Sequence, residues 1–292
     1  MTHLRAPKRR NMGVQVMGVV NVTPDSFSDG GDYLDPNAAR RRIEQCISQG
    51  AAIIDLGAES TRPGAPQVSP IEQFARLGSL VAFTVARGAI ASVDTTSPEV
   101  AAWALEQGAR IINSVSLETA GELGRLAARH GADLVLTHCR GSMTNMGGFS
   151  HYSDHAYDDI VVDVVREWSA AAATAESSGL ASDAIIFDPG LGYTKNARQS
   201  LELCVRLDEL KEALGRRVLV GTSRKSYIAA TVARGDTPYP GPNERLGGTI
   251  AATLDCVRRG ADIVRVHDVG EVSQALAYAS ASMQLEAEVR SA

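Results

Sequence analysis

Short, nearly continuous apolar runs alternate along the chain with longer stretches in which apolar residues recur at helical spacing. The runs are QVMGVV (15–20), AAIIDL (51–56), AIASVD (89–94), RIINSV (110–115), DLVLTH (133–138), AIIFD (184–188), RVLVGT (217–222) and DIVRVH (262–267). They suit strands covered on both faces, as in a parallel sheet. Helical patterns follow most of them: DPNAARRRIEQCISQG, SPEVAAWALEQG, TAGELGRLAARHG, HAYDDIVVDVVREWSAAAATAESSG, QSLELCVRLDELKEALG, GGTIAATLDCVRRG and EVSQALAYASASMQLEAEVR. In the second of these, Ser97 serves as N-cap, Pro98 opens the first turn and Gly108 marks the stop.

Eight strands alternating with helices predict an α/β fold, a single eight-stranded parallel (β/α)8 TIM barrel over residues 15–292, after a flexible N-terminal segment at 1–14. No linker, low-complexity stretch or composition break divides the chain. A doubly wound open sheet is the alternative, but no GxGxxG follows the first run, so the usual dinucleotide-binding argument is missing.

Composition narrows the picture. The 292 residues are 44% hydrophobic, 22% charged and only 5% aromatic, which suits many helices packed closely on a sheet. A net charge of −5 argues against a general nucleic-acid binder. The basic run RAPKRR (5–10) reads as a solvated tail. Cys46, Cys139, Cys204 and Cys256 share no metal-ligand spacing and fit free thiols in a reducing compartment. No run is long and apolar enough for a membrane span, so a soluble cytoplasmic protein without membrane partners is expected.

In a β/α barrel the active site gathers at the C-terminal strand ends. Those ends carry Asn21; Asp55 with Glu59, Thr61 and Arg62; Asp94; Asn113; His138; Asp188; Ser223, Arg224 and Lys225; and Arg265 with His267. Singly, each has an ordinary structural explanation. An Asp after a strand is usually a turn or cap residue, and a lone His is usually a hydrogen-bonded structural one. The set asks for more, because Asp94 and Asp188 end apolar strands, where an unpaired carboxylate is costly. Asp94, Asn113 and Asp188 suit a planar heterocycle rich in N–H groups, and Lys225 can donate to its carbonyl. Arg265 can stack on a ring while facing an anion. Asn21, Arg62, Arg265 and His267 form an anion-binding group, which a divalent metal could assist.

The segments MGVVNVTPDSFSDGG (17–31), DLGAESTRPGA (55–65), SVDT (92–95), IIN (111–113), FDPGLGYTK (187–195), GTSRKSYI (221–228) and VRVHDV (264–269) carry a family resemblance across nearly the whole chain. In this order and register the sequence resembles the dihydropteroate synthases, folate-pathway transferases and sulfonamide targets. The resemblance implies condensation of 6-hydroxymethyl-7,8-dihydropterin pyrophosphate with p-aminobenzoate, by an SN1-like route with Mg2+ as cofactor. It places Asp94, Asn113, Asp188, Lys225 and Arg265 around the pterin, with Asp94, Asp188, Lys225 and Arg265 as the catalytic set. Asn21, Arg62, Arg265 and His267 fall on the pyrophosphate side, with Asn21 toward the metal. Thr61, Arg62, Pro63, Tyr193, Lys225 and Ser226 fall on the p-aminobenzoate side. The polar, Gly-rich loop NVTPDSFSDGG would close over the site through Asp25, Ser26 and Phe27, excluding water. The resemblance also implies a homodimer.

Three departures stand out. Ser114 and Leu117 occupy positions where the family usually has an acid and a Gly, and Ala58 stands where a second Gly is common. The segment RGSMTNMGGFSHYSDHAYDD (140–159) is long, and its bland reading is a surface loop leading into a helix. A lid, or a metal site from His151, Asp154 and His155, is the sharper alternative. A pterin-binding barrel of the methyltransferase kind and a catalytically altered homologue are the competing functions.

Overall fold

The computed structural model describes residues 13–23, 36–59, 68–141, 152–233 and 239–291. Its strands are β1 (Gln15–Asn21), β2 (Ile53–Gly57), β3 (Ile90–Asp94), β4 (Ile111–Ser114), β5 (Asp133–Thr137), β6 (Ile185–Asp188), β7 (Arg217–Val220) and β8 (Ile263–Val266). All neighbours pair in parallel, and β8 returns to β1, closing the barrel in chain order. The expected strands are all present, with ends moved by no more than about two residues, the usual scatter of element boundaries.

Strand alternation builds the interior in layers. Met17, Ile53, Ile111, Val135, Ile186, Leu219 and Ile263 form a buried apolar floor with one residue from every strand except β3. Two residues further along those strands, side chains point inward again. There stand Val19, Asp55, Asn113, Thr137, Asp188, Gly221 and Arg265, with Asp94 of β3 in register beside Asn113. The floor excludes water from below, and the next layer is polar.

The outward strand residues join one continuous core with the helices. These are α1 (Pro36–Ser48), α2 (Pro70–Leu77), α3 (Leu80–Ala86), α4 (Pro98–Glu106), α5 (Ala120–His130), α6 (Ile160–Ser177), α7 (Ala197–Val205), α8 (Leu207–Leu214), α9 (Ser226–Val232), α10 (Leu246–Arg258) and α11 (Val269–Ser291). Ser97 caps α4 as expected, its hydroxyl accepting the Val100 N–H. Two helices between β2 and β3 were not expected, because Gly78, at φ 46°, interrupts the apolar period between them. The single helix expected over 199–215 is two, α7 and α8, broken at Arg206 (φ −112°, ψ 24°). The break lets the Arg206 guanidinium reach Glu202 on one side (3.0 Å), Glu209 on the other (2.9 Å) and Asp159 (3.2 Å). The short α9 was not among the expected helices. Val14, at the end of the segment read as N-terminal, is buried in the core.

Among the described residues, no helix is long and apolar enough to cross a membrane. On the outer layer, Trp168 of α6 is fully buried, meets Phe187 of β6 edge to face and donates to the Leu136 carbonyl at 2.8 Å. Truncating it leaves a cavity and removes that hydrogen bond. Trp168→Ala is expected to cost about 3–5 kcal/mol in chemical denaturation; a loss below about 1 kcal/mol would contradict this packing.

Candidate active site

Asp55 of β2 is the centre of the polar layer. It is fully buried, and its carboxylate accepts from Ser92 Oγ at 2.6 Å, Asn113 Nδ2 at 3.1 Å and Arg265 Nε at 2.7 Å. Donors from three other strands thus converge on it, offsetting the cost of burying a carboxylate. A carboxylate offers only acceptors, so Asn113 turns its NH2 toward Asp55 and keeps its carbonyl oxygen as an acceptor for something else. Arg265 spans the layer: while Nε holds Asp55, NH2 holds Asp94 Oδ2 at 2.8 Å. Burial alone would lower the Arg265 pKa, but the carboxylates of Asp55 and Asp94 outweigh it and raise it, so the guanidinium stays charged.

Asp94 is left partly unpaired. Its Oδ1 is buried and has no hydrogen-bond partner among the described residues. Burial raises its pKa to about 7, with Asp55 pushing the same way and Arg265 and Lys225 opposing. Asp188 is buried too, and burial likewise raises its pKa, against the Gly190 N–H, Lys225, Arg265 and Lys195. Gly190 donates to Asp188 Oδ1 at 2.7 Å. Only glycine fits there: φ is +68°, and a Cβ would stand 1.9 Å from the His138 carbonyl oxygen.

Asp94, Asn113, Asp188, Tyr193, Lys225 and Arg265 line one cavity above the barrel floor, with Val115, Thr137, Leu191 and Gly221. Lys225 Nζ lies 4.0 Å from the centre of the Tyr193 ring, a cation–π contact at the cavity wall. Asn21 sits on the rim: a Cβ on Gly57 would meet Asn21 Oδ1 at 3.3 Å and Asp94 Cβ at 3.8 Å, so the glycine leaves both neighbours room. Ser226 opens α9 and is half-buried, one residue beyond Lys225.

Ser223 Oγ accepts the His267 backbone N–H at 3.1 Å and lies 3.0 Å from His267 Nδ1. Burial lowers the His267 pKa to about 3, and Arg265 and Arg224 add to the shift, so the ring is neutral at physiological pH. It can serve an anion as an N–H donor rather than as a cation. The Arg42 guanidinium donates to the His267 carbonyl, and Arg224, paired with Asp268 at 2.6 Å, fixes the turn before Lys225.

Two of the residues singled out in the sequence lie away from the cavity. His138 does not face the cavity; Thr137, two residues past the floor residue Val135, takes that place, and His138 points outward to Glu167 at 3.1 Å. Ser114 also faces away from the cavity, and its hydroxyl accepts the Ser116 N–H and donates to the Ser116 carbonyl, closing a turn. Asp55 had been noted only as a strand-end carboxylate; its role as hub depends on donors that no local motif announces. Asp25, Ser26, Phe27, Thr61, Arg62, Pro63 and His151 lie outside the described residues. Asp154 accepts from Asn196 Nδ2 at 2.8 Å, His155 is exposed, and among the described residues no three His, Cys, Asp or Glu side chains gather to hold a metal.

Barrel and cavity together define an enzyme fold whose site suits a flat ligand rich in N–H groups. The sequence pattern of the family described as "Pterin binding enzyme" matches residues 17–267. A dihydropteroate synthase of Synechocystis sp. is 40% identical over 89% of this chain and 86% of its own length. Dihydropteroate synthase of Yersinia pestis, solved with a sulfonamide drug complex, superposes with a TM-score of 0.82 at 34% identity, covering 93% of this chain and 94% of its own. That of Xanthomonas albilineans, solved with 4-aminobenzoic acid, gives 0.82 at 36%, covering 92% and 93%. The chain belongs to the dihydropteroate synthase family of pterin-binding enzymes.

Asp55→Asn removes a like charge beside Asp94 and frees Arg265 to serve Asp94 alone. Both effects lower the Asp94 pKa. A carboxyl-carbon NMR titration is expected to place Asp94 in the variant below its starting value of about 7; an unchanged or higher value would remove Asp55 from the hub.

Proposed function

We infer that this protein condenses 6-hydroxymethyl-7,8-dihydropterin pyrophosphate with p-aminobenzoate, giving 7,8-dihydropteroate and pyrophosphate. The observation that carries the reading is the buried, unpartnered Asp94 Oδ1 in a cavity it shares with Asn113, Asp188, Lys225 and Arg265. The pterin's amino and ring N–H groups supply the donor that Asp94 Oδ1 lacks and a further one to Asp188, the Asn113 carbonyl accepts another, and Lys225 donates to the ring carbonyl. Arg265, pinned by Asp55 and Asp94, covers the ring face.

On this reading the bond from the pterin methylene carbon to the diphosphate oxygen breaks first, and its electron pair leaves with pyrophosphate. The cation left behind spreads over a ring held between carboxylates, which favours the positive charge. The aryl amine then attacks that carbon and loses a proton. The His267 ring and Arg265 face the departing anion, with Arg62 expected beside them. Tyr193, Lys225 and Ser226 form the described part of the p-aminobenzoate side, and Thr61, Arg62 and Pro63 complete it. The family resemblance assigns closure over the bound substrates to Asp25, Ser26 and Phe27. The Asn21 carbonyl oxygen suits Mg2+, a hard cation that keeps several waters and binds mainly through substrate phosphates. When bound, Mg2+ supplies neutralising charge for the diphosphate. The reading extends to a homodimer, supported by the exposed Tyr278, Met283, Leu285 and Val289 on α11, and to the cytoplasm, supported by four free, buried cysteines.

Pyrophosphate release on mixing both substrates with Mg2+ tests the activity. Asp94→Asn and Lys225→Ala are each expected to lower kcat/KM by about 100- to 1,000-fold. No release by the unmodified protein would sink the reading.

Asp94 also predicts a proton linkage. Its pKa is about 7 in the free protein, and N–H donors from the ligand favour the carboxylate, so the pKa drops in the complex. Near pH 7, binding therefore releases protons, and affinity weakens as pH falls below that point. Calorimetry of a pterin analogue in buffers of different ionisation enthalpy is expected to show this release, and Asp94→Asn to abolish it. Proton uptake on binding would contradict the assignment.

A further inference from the structure

Lys195 is fully buried beside the site, and none of the roles above uses it. Its Nζ lies 2.9 Å from His138 Nδ1, 3.0 Å from the His138 carbonyl oxygen, 3.0 Å from that of Tyr193 and 3.3 Å from that of Gly190. Among the described residues no carboxylate reaches it within hydrogen-bond distance. Burial pulls its pKa down to about 7, yet three of the four groups around it are carbonyls, which can only accept. His138 joins them as an acceptor: its Nε2–H serves Glu167 at 3.1 Å, and burial, then Lys195, hold its pKa down to about 4. Four acceptors facing one nitrogen ask for the ammonium form, with all three of its protons donated.

Two of the carbonyls it gathers, those of Gly190 and Tyr193, belong to the segment that carries Asp188 at one end and Tyr193 at the other, and the third, that of His138, follows β5. Between Tyr193 and Lys195 the chain is strained, because Thr194, a β-branched residue, sits at φ 49°. Such a backbone persists only where its surroundings over-determine it. Here the lysine folds back on the carbonyl two residues before it, and Tyr157 OH binds the Thr194 carbonyl at 3.2 Å.

We propose that Lys195 is a positioning residue for the reaction. Its buried ammonium, held by the carbonyls of His138, Gly190 and Tyr193, fixes Asp188 on the pterin side and Tyr193 on the p-aminobenzoate side of the cavity. The proposal rests on the condensation reading above. It makes one internal cation the common support of two substrate subsites, through the backbone and without touching either substrate.

Lys195→Met fills much of the same space without a charge. The variant is expected to keep its fold by circular dichroism but to lose about 100-fold in kcat/KM, since misplacement of about 1 Å costs that much. KM should rise for both substrates. Lys195→Ala leaves room for n-propylammonium, which is expected to restore activity where equal concentrations of sodium chloride or n-propanol do not. Should the alanine variant fail to fold, the methionine variant decides alone. A folded Lys195→Met with both KM values and kcat unchanged would overturn the proposal, as would equal recovery of Lys195→Ala with propanol. Absence of pyrophosphate release by the unmodified protein, by contrast, would overturn the condensation reading itself.

Discussion

The site depends on a carboxylate buried where water cannot reach it. Asp55 stands directly above the apolar floor of the barrel and is tolerable there only because Ser92, Asn113 and Arg265 all donate to it. That requirement works in both directions. The donors stabilise Asp55, and Asp55 decides how they point. Asn113 must turn its amide nitrogen inward, which leaves its carbonyl oxygen as an acceptor. Arg265 must lie across the layer, which brings its other nitrogen to Asp94. One buried charge thus orients side chains from three other strands before any ligand arrives, which is the preorganisation that electrostatic catalysis requires.

The cation above it is shared and cannot satisfy everything. Arg265 bonds to both Asp55 and Asp94, yet Asp94 still keeps one oxygen without a partner among the described residues. This shortfall makes the cavity selective. A ligand that only fills space leaves the oxygen unpaired, at a cost of about 1–3 kcal/mol, whereas one bringing N–H groups removes that cost. An extra methylene in an adaptable apolar pocket changes binding by a similar amount, about 1–3 kcal/mol, so the unpaired oxygen weighs as much as a mismatch of shape. On the proposed reading, the same carboxylates that select the ring also favour positive charge developing on it, so recognition and activation draw on one set of atoms.

The strands were legible in the sequence because both of their faces are buried, which makes each a compact apolar run. The helices between β2 and β3 were not, because Gly78 resets the apolar period halfway. Asp94, Asn113, Asp188, Lys225 and Arg265 could be named in advance because strand ends in a barrel converge on one mouth, and the structure brings them to one cavity. What could not be read was the pairing beneath them. Asp55 and Asp94 look alike in sequence, each an acid ending an apolar run. Their difference lies in three donors reaching Asp55 from positions 37, 58 and 210 residues away along the chain. Lys195 was invisible for a similar reason: its partners are mostly backbone carbonyls, which carry no residue signature.

Strand alternation also sorts the departures from the family pattern. On β4, Ile111 belongs to the floor and Asn113 to the polar layer, so Ile112 and Ser114 must face the helices. A serine in place of an acid at position 114 therefore takes no charge from the cavity. It changes how the chain leaves the strand, and the structure shows its hydroxyl closing that turn on both backbone groups of Ser116. The same parity separates Thr137, which lines the cavity, from His138, which supports Lys195 from behind. In a barrel, whether an altered strand residue touches chemistry or scaffold follows from its distance, counted in twos, from the nearest floor residue. By that rule the unusual serine belongs to the scaffold and removes none of the described groups that line the cavity.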